Sequence, residues 1–587
     1  MQIHIRTACA AALLVTLAAC GGSSQQTDEN LDGAASPQAQ RASTGGASGI
    51  GTLTAAETIS GTATSAVTPA AASQLLAQAT FGASEGKIAE VVEVGYDVWF
   101  DRQFRKPQTL HRLEVEKWLA TQPPGTRLQP TAFYRSFWKQ AITGQDQLRQ
   151  RVQYALSQIF VVSFDSSVAG MPRGGAAYYD VLGRNAFGNF RQLLDEVAHH
   201  PAMGVYLSYL RNQKETDTRA PDENFARELM QLMTIGLYQL NQDGSLKLVN
   251  GKPVETYTHE DIVGLAKVFT GWSWAGPDLS TARFLGGYPD PDRDWKPMQN
   301  YPYMHSTSEK KFLGKSISGA TTGEADLKVA LDTLFNHPNV GPFIGRRLIQ
   351  QLVSSNPTPA YIARVAAVFN NNGAGVRGDM KAVIKAILMD PEARAASFPG
   401  REKMREPVLR VANWMRAFKV SSVSGAFLIE NTDDPLLQLG YTPMRSPSVF
   451  NFYRPDYTPP GSAVASAGKV APEMQLMSDP QVIGYLNLMQ TSIQFGMGGG
   501  GFDMQPDYVS ELSLAAAPEK LVDRLNLHLF GGTMSAGLRG QILSAINATP
   551  MPTATGANAV AVQTSKLFRV YVAIYLAMIS PEYIIQH

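Results

Sequence analysis

The chain has 587 residues, of which 44% are hydrophobic and 17% charged, with 51 Lys and Arg against 50 Asp and Glu and a formal net charge of +1. Single cores stop growing at roughly 250 to 300 residues, so this length has room for two or more domains. The balanced charge creates no global field for nucleic acid or anionic lipid, and no nucleic-acid partner is expected.

The first twenty residues, MQIHIRTACAAALLVTLAAC, place Arg6 ahead of an apolar run from Ala8 to Ala19. Such a run is too short to span a membrane and has the flanks of a secretory signal. Its end, Leu17-Ala18-Ala19-Cys20, resembles the lipobox of bacterial lipoproteins. Residues 1–19 are therefore expected to be removed as a signal peptide, leaving Cys20 lipidated as the anchor to the membrane. Gly21 and Gly22 follow where an inner-membrane retention Asp would stand, which favours the outer membrane, facing the periplasm or the cell surface. The two cysteines are Cys9 and Cys20, so the mature chain is expected to have no disulfide, no thiolate nucleophile and no Cys-ligated metal. Residues 20–70 are rich in Gly, Ser, Thr, Ala and Gln and cannot bury enough apolar surface to order themselves. They read as a flexible linker, with a span of roughly 40 Å for about 50 residues of coil.

From residue 71 onward, apolar spacing of three and four residues dominates. The segments AASQLLAQATF, QLRQRVQYALSQIFVV, GNFRQLLDEVA, HEDIVGLAKVFTGW, GEADLKVALDTLFN and GPFIGRRLIQQLV each predict an amphipathic helix. Thr258, three residues before Asp261, has the spacing of a capping box. In SLKLVNGKPVET, Asn250-Gly251 between short apolar runs predicts a hairpin, and KKFLGKSISG is a second candidate. The expected fold is mainly α, a large multi-helix globular body with one or two small β-hairpins. A main helical domain is expected over 71–490 and a C-terminal helical unit over 508–587. The latter echoes 344–394: both segments place an Arg, a Leu-rich face, a turn, a second helix, and then a helix closing on Asp-Pro-Glu or Ser-Pro-Glu. The runs 454–472 and 495–507 read as long surface loops, the second a candidate domain joint.

The segment APDENFARELMQLMTIGLYQL, residues 220–240, carries the densest polar cluster. Phe225, Leu229, Leu232 and Met233 make one buried stripe, while Asn224, Arg227, Glu228 and Gln231 share a second face and Glu223 lies one turn from Arg227. The cluster reads first as a brace: Asn224, Arg227, Glu228, Thr258 and Asp261 packed between two helices. The histidines worth placing are His199 and His200 at a helix end, His259 beside Glu260 and Asp261, and His305 in an aromatic loop. His200 has an ordinary explanation in the helix dipole. None shows a dedicated ligand spacing, so no metal and no cofactor is predicted. Gly-x-Ser-x-Gly, Walker and dinucleotide-binding motifs are absent.

HHPAMGVYL, ENFARELMQLMTIGLYQL, YTHEDIVGLAKVFTGW, HSTSEKKFLG and HPNVGPFIGRRLIQQLVSSNP resemble, in that order, segments of the domain of unknown function 1800 family of bacterial exported proteins. The resemblance runs from about residue 71 to the end. It implies a mostly helical envelope protein with no established activity, and a companion exported protein of sulfatase- or phosphatase-like fold. Positions matching the family's recurring polar residues are Asn224, Arg227, Glu228, Thr258, Asp261 and Trp272, with His305, Lys311 and Gly314 further on. The chain departs from the family at Ser157-Gln158, where many members have Trp-His, and at Ser306, where many have Asp after the histidine.

Two functions follow. The first is a cell-envelope lipoprotein acting as a helical scaffold or binding protein for an exported partner protein or polymer. The second is an envelope hydrolase on a polysaccharide or related polymer, with Glu228, Asp261 and either His259 or His305 in one pocket. Paired carboxylates suit that chemistry because one can stay ionised while its surroundings keep the other protonated.

Overall fold

Apolar three- and four-residue spacing becomes helix nearly throughout, and the protein is mainly α. A computed structural model describes residues 66–319, 321–395, 400 and 402–586. The expected signal peptide, Cys20 and the linker up to residue 65 lie outside the described residues.

The helices that matter below are α1 (Pro69–Ala79), α2 (His111–Ala120), α3 (Gln147–Ser157), α4 (Pro172–Arg184), α5 (Phe190–Ala198), α6 (Asn224–Gln231) and α7 (His259–Val268). They are followed by α8 (Gly323–Asn336), α9 (Val340–Leu352), α10 (Pro359–Asn370), α11 (Met380–Met389) and α12 (Pro407–Ala417). Near the C-terminus come α13 (Pro518–Phe530), α14 (Ala536–Ala548) and α15 (Ala559–Ile579). Many starts are capped as the sequence dictates. Thr322, Thr358, Asp379 and Ser535 each accept a backbone N–H of the first turn, and Thr258 and Asp261 complete a reciprocal capping box at α7. Among the described residues no helix is long and apolar enough to cross a membrane.

Both hairpins form. Strand β1 (Leu248–Val249) pairs antiparallel with β2 (Lys252–Pro253) around Asn250 and Gly251, whose φ values of 52° and 78° fit the tight turn their sequence favours. Strand β3 (Lys310–Phe312) pairs with β4 (Lys315–Ile317) around Leu313 and Gly314. Leu313 sits at φ 48°, a region that costs an L-residue about 1–2 kcal/mol. Its backbone N–H donates to Asp261 Oδ1 at 2.6 Å, which holds that conformation in place. Helix α7 lies so close to this hairpin that a Cβ on Gly264 would fall 1.7 Å from the carbonyl oxygen of Lys311.

Further two-stranded pairs join distant segments: Trp272–Ser273 with Gln299–Asn300, Lys403–Met404 with Ile585–Gln586, and Ser421–Ser422 with Met504–Gln505. The last of these ties part of the run 495–507 into the fold.

The segment 508–587, expected as a unit of its own, is sewn into the body at both ends of the described chain. The Ser73 hydroxyl on α1 donates to the carbonyl of Leu527 on α13 at 2.6 Å, and Arg405 donates to the carbonyl of Tyr583. Residues 66–586 accordingly fall in one compact unit. Helices α9, α10 and α11 with the one-turn helix Pro391–Arg394 have the same order as α13, α14 and α15 with Pro581–Ile584. In each set the glutamate of the one-turn helix accepts the cap hydroxyl of the second helix: Thr358 to Glu392 at 2.6 Å, and Ser535 to Glu582 at 2.5 Å.

Candidate functional site

The polar face of α6 divides. Arg227 donates to Glu223 at 2.9 Å one turn away, and both side chains are partly exposed, 41% and 28%. His259 stands 4.0 Å from the same Glu223, with its ring two-thirds exposed. The side chain of Asn224 reaches only the Ser208 hydroxyl, at 3.4 Å. Glu228 turns inward and is buried, its Oε2 without a hydrogen-bond partner; burial raises its pKa, against the charge of Arg227, which lowers it.

The remaining residues of the expected pocket lie in other arrangements. Asp261 spends both oxygens on backbone: Oδ2 accepts the N–H of Thr258 at 2.8 Å, and Oδ1 takes that of Leu313. His305 is buried, with Nδ1 2.8 Å from the carbonyl of Thr270 and Nε2 2.9 Å from Asp326. Asp326 also receives Lys310 at 2.8 Å, and all three side chains are sealed from solvent. Lys311 pairs with Glu309 on the outside. Among the described residues no hydrogen bond or ion pair joins Glu228 to Asp261, His259 or His305. Asp261 and the backbone of Lys311, Leu313 and Gly314 do converge, for the structural reason that α7 braces the second hairpin.

Charged groups converge instead in a cleft of about 560 Å³ between α4, α5 and the loop carrying Trp295. Helix α5 ends at Ala198, and His199 stacks edge-on against Trp272 with ring centroids 4.9 Å apart. Its Nδ1 donates to the carbonyl of Asp195 at 2.8 Å, with the Asp195 carboxylate 3.5 Å away. Burial is the largest influence on His199 and disfavours its charge, but the hydrogen bonds and charge of Asp195 together outweigh it, and the pKa is raised. Asp195 is lowered in turn, by its hydrogen bond to His199 first.

His200, one residue on, is the opposite case. It does not answer to the dipole of the helix it follows, as its position suggested. Its Nδ1 accepts the N–H of Ala202 and so caps the next helix, Pro201–Tyr206. Burial, with Arg184 nearby, pushes it down to about 3, so it is neutral. With Nδ1 accepting, the proton sits on Nε2, and that N–H has no acceptor among the described residues. The same holds for the indole N–H of Trp295, whose ring lies 4.3 Å under the guanidinium of Arg112.

Arg184 and Glu196 pair at 2.8 Å on the rim. Asp180 at the back is pushed up to about 7 by burial, against the backbone N–H groups of Arg112 and His111, which it accepts at 3.0 and 2.8 Å at the start of α2. Among the described residues no three His, Asp or Glu side chains are placed to hold a metal ion.

A second concentration of polar groups is wholly interior. Glu406, just before α12, is fully buried; its Oε2 accepts Tyr154 (2.6 Å), Gln158 (2.9 Å) and Tyr441 (2.9 Å), and its Oε1 has no partner. Gln158, one of the departures from the family pattern, also accepts Asn451 at 2.6 Å and Tyr453 at 3.0 Å. Burial pushes all three phenols well above their ordinary pKa, and the charge of Glu406 adds to it. Arg151 of α3 donates to the carbonyl of Gln351 at 2.6 Å, while its Nε and one terminal nitrogen are unpartnered; burial disfavours its charge, which Glu406 supports. Lys403 and Glu473 form a further buried ion pair close by.

Of the cleft, sequence reasoning found the two histidines and missed Asp195, Glu196, Asp180 and Trp295. The available signal was Asp195 at four residues before His199 on a helix, the spacing of a side-chain pair. Trp295 lies about a hundred residues further on, and nothing local ties it to α5.

Residues 74–585 match the model of a family described as Protein of unknown function (DUF1800). No curated protein matches the chain. No solved structure matches it either.

Proposed function

The chain belongs to the DUF1800 family, whose function is unknown, and from that premise we propose an exported binding protein that holds a hydroxyl-rich polymer segment in the cleft beside His199 and His200. One observation carries this reading: the cleft is lined by cations, carboxylates and an indole together, among them Arg112, Arg184, Asp195, Glu196 and Trp295. Alternating donors and acceptors on an aromatic wall suit a glycan better than an apolar or uniformly charged ligand.

The proposal includes the address. Lipid on Cys20 would anchor the body to the outer membrane through the 20–70 linker, where an exported companion of sulfatase- or phosphatase-like fold would meet the same polymer. Replacing Cys20 with Ser and fractionating cells tests this: the variant should leave the membrane fraction, and unchanged partition would remove the anchor.

The binding test is tryptophan fluorescence during titration with cellohexaose, chitohexaose and a soluble peptidoglycan fragment. At least one should give a saturable change that Trp295→Ala abolishes and Glu196→Gln weakens about tenfold, the effect of one lost charged hydrogen bond. No saturable response to any of the three would overturn the glycan reading.

Hydrolysis at the same cleft is the second reading, favoured by one observation. Asp195 orients His199 through Nδ1 and raises its pKa, while Nε2 makes no hydrogen bond to another described residue and is free to exchange a proton. New reducing ends from a bound oligosaccharide, lost in His199→Gln with binding retained, would establish it. The pocket built from Glu228, Asp261 and His259 or His305 has less support, since Asp261 and His305 are committed to structural bonds.

A further inference from the structure

A separate cleft of about 420 Å³ opens where the C-terminal end of α6 and the β1–β2 region face α9. Three arginines line it: Arg346 and Arg347 from α9, and Arg454 from the loop beyond Phe450. Cations in folded proteins are ordinarily paired or hydrogen-bonded when they lose water. Burial lowers both Arg346 and Arg347, the latter to about 10, which leaves Arg347 protonated at neutral pH. Neither makes a hydrogen bond or ion pair with any described residue, and Arg454 only stacks on Phe450, 4.8 Å from its ring. One carboxylate, Asp456, lines the same cleft, and its charge supports Arg346 and Arg347 without forming an ion pair. Three cations against one anion leave an excess positive charge in a half-enclosed space.

The walls are of another character. Phe343, Leu232 and Leu240 line the cleft, and at its mouth Leu237 (47% exposed), Tyr238 (42%) and Leu246 (44%) present apolar surface to solvent. Leu248 and Val249 of β1 extend that exposed apolar surface along the hairpin. A contiguous exposed apolar patch marks a binding surface, and an inorganic anion alone would leave it uncovered. The combination selects a ligand with one charged end and an apolar body.

We propose that this cleft binds a small anionic amphiphile, its carboxylate, sulfate or phosphate received by Arg346, Arg347 and Arg454 and its acyl or aromatic body laid along Phe343 and the Leu237–Leu246 lip. Arginine supplies paired N–H donors matched to such oxyanions. The inference is independent of the glycan cleft and needs no catalytic step.

The test uses the full chain, purified without detergent, and two dyes that share an apolar body. One is 8-anilinonaphthalene-1-sulfonate, the other N-phenyl-1-naphthylamine, which lacks the sulfonate. The sulfonate should bind saturably, laurate should displace it, and the neutral dye should bind about tenfold more weakly. The double variant Arg346→Gln/Arg347→Gln should lose at least that factor. Asp456→Asn should tighten binding severalfold at an unchanged urea midpoint, which separates the effect from the dye's affinity for partly unfolded protein. Equal binding of both dyes, or no effect of the arginine variant, overturns the proposal. Displacement by inorganic phosphate but not by laurate overturns the amphiphile in favour of a simple anion. Sedimentation with phosphatidylglycerol vesicles that depends on the two arginines, without competition by laurate, overturns it in favour of a membrane-docking face.

Discussion

The cleft beside His199 and the interior around Glu406 both concentrate ionisable groups, and they treat them in opposite ways. Inside, Glu406 draws the hydroxyls of Tyr154 and Tyr441 and the amide of Gln158 onto one oxygen, and helix α3, α12 and the loop from 441 to 453 are fixed to each other through it. In the cleft, Arg112, Asp195 and Trp295 line a half-enclosed space, and Arg184 and Glu196 pair on its rim. Polar groups that close on each other hold a fold together. Groups that line a cleft can meet something that is not part of the chain. Substitutions in the two regions should therefore separate stability from binding.

Stability should suffer most at Glu406. Glu406→Gln keeps the shape but removes the charge that supports buried Arg151. Breaking a buried charge arrangement by removing one partner costs about 3–5 kcal/mol. Urea unfolding should register that loss, while glycan binding by the residual folded protein stays unchanged. A loss below about 1 kcal/mol would mean that the interior network is not what holds α3 to α12.

The next effect is on pH. His200 in the cleft and His111 at the start of α2 are buried and neutral, at about 3 and about 4 in the folded state, both through desolvation. Their unfolded value is about 6.5, so below it the unfolded chain binds protons that the folded chain refuses, and stability falls with acid. Between pH 7.5 and 5.5 the two together should remove roughly 2–3 kcal/mol, and His200→Gln should take away about half of that slope. His199 works the other way. Its folded pKa is raised, so its contribution is fully present below pH 6.5 and is lost as pH rises through the folded value. Adjacent residues should thus show opposite shifts in an NMR titration, His199 above 6.5 and His200 far below. A common value for both would remove the distinction drawn here between a paired and a desolvated histidine.

Much of the scaffold was legible because it is local. Helix periodicity, the Thr258–Asp261 capping box and the Asn250-Gly251 turn each depend on residues within a few positions of one another. The second role of Asp261, holding Leu313 in its left-handed conformation, spans 52 positions and has no local signature. The same is true of the pairing of Ile585 with Met404 that merges the C-terminal segment into the body, and of Glu406, an unremarkable residue in sequence until Tyr154 and Tyr441 arrive from elsewhere. The conspicuous cluster on α6 misled for the converse reason. Its spacing guarantees that Glu223 and Arg227 meet on one helix face, and that meeting requires no function.

The smallest change is expected at this surface pair. Arg227 and Glu223 are an i,i+4 pair with both side chains partly in water, and such pairs contribute about 0.3–0.5 kcal/mol. A double-mutant cycle with Arg227→Ala and Glu223→Ala should return a coupling in that range, falling further in 1 M salt, with no change in the binding of either glycan or anionic dye. The result matters more than its size, because the charge of Arg227 also lowers the pKa of buried Glu228. If Arg227→Ala alone costs more than about 2 kcal/mol while Glu223→Ala costs little, the arginine serves the interior carboxylate and not its surface partner.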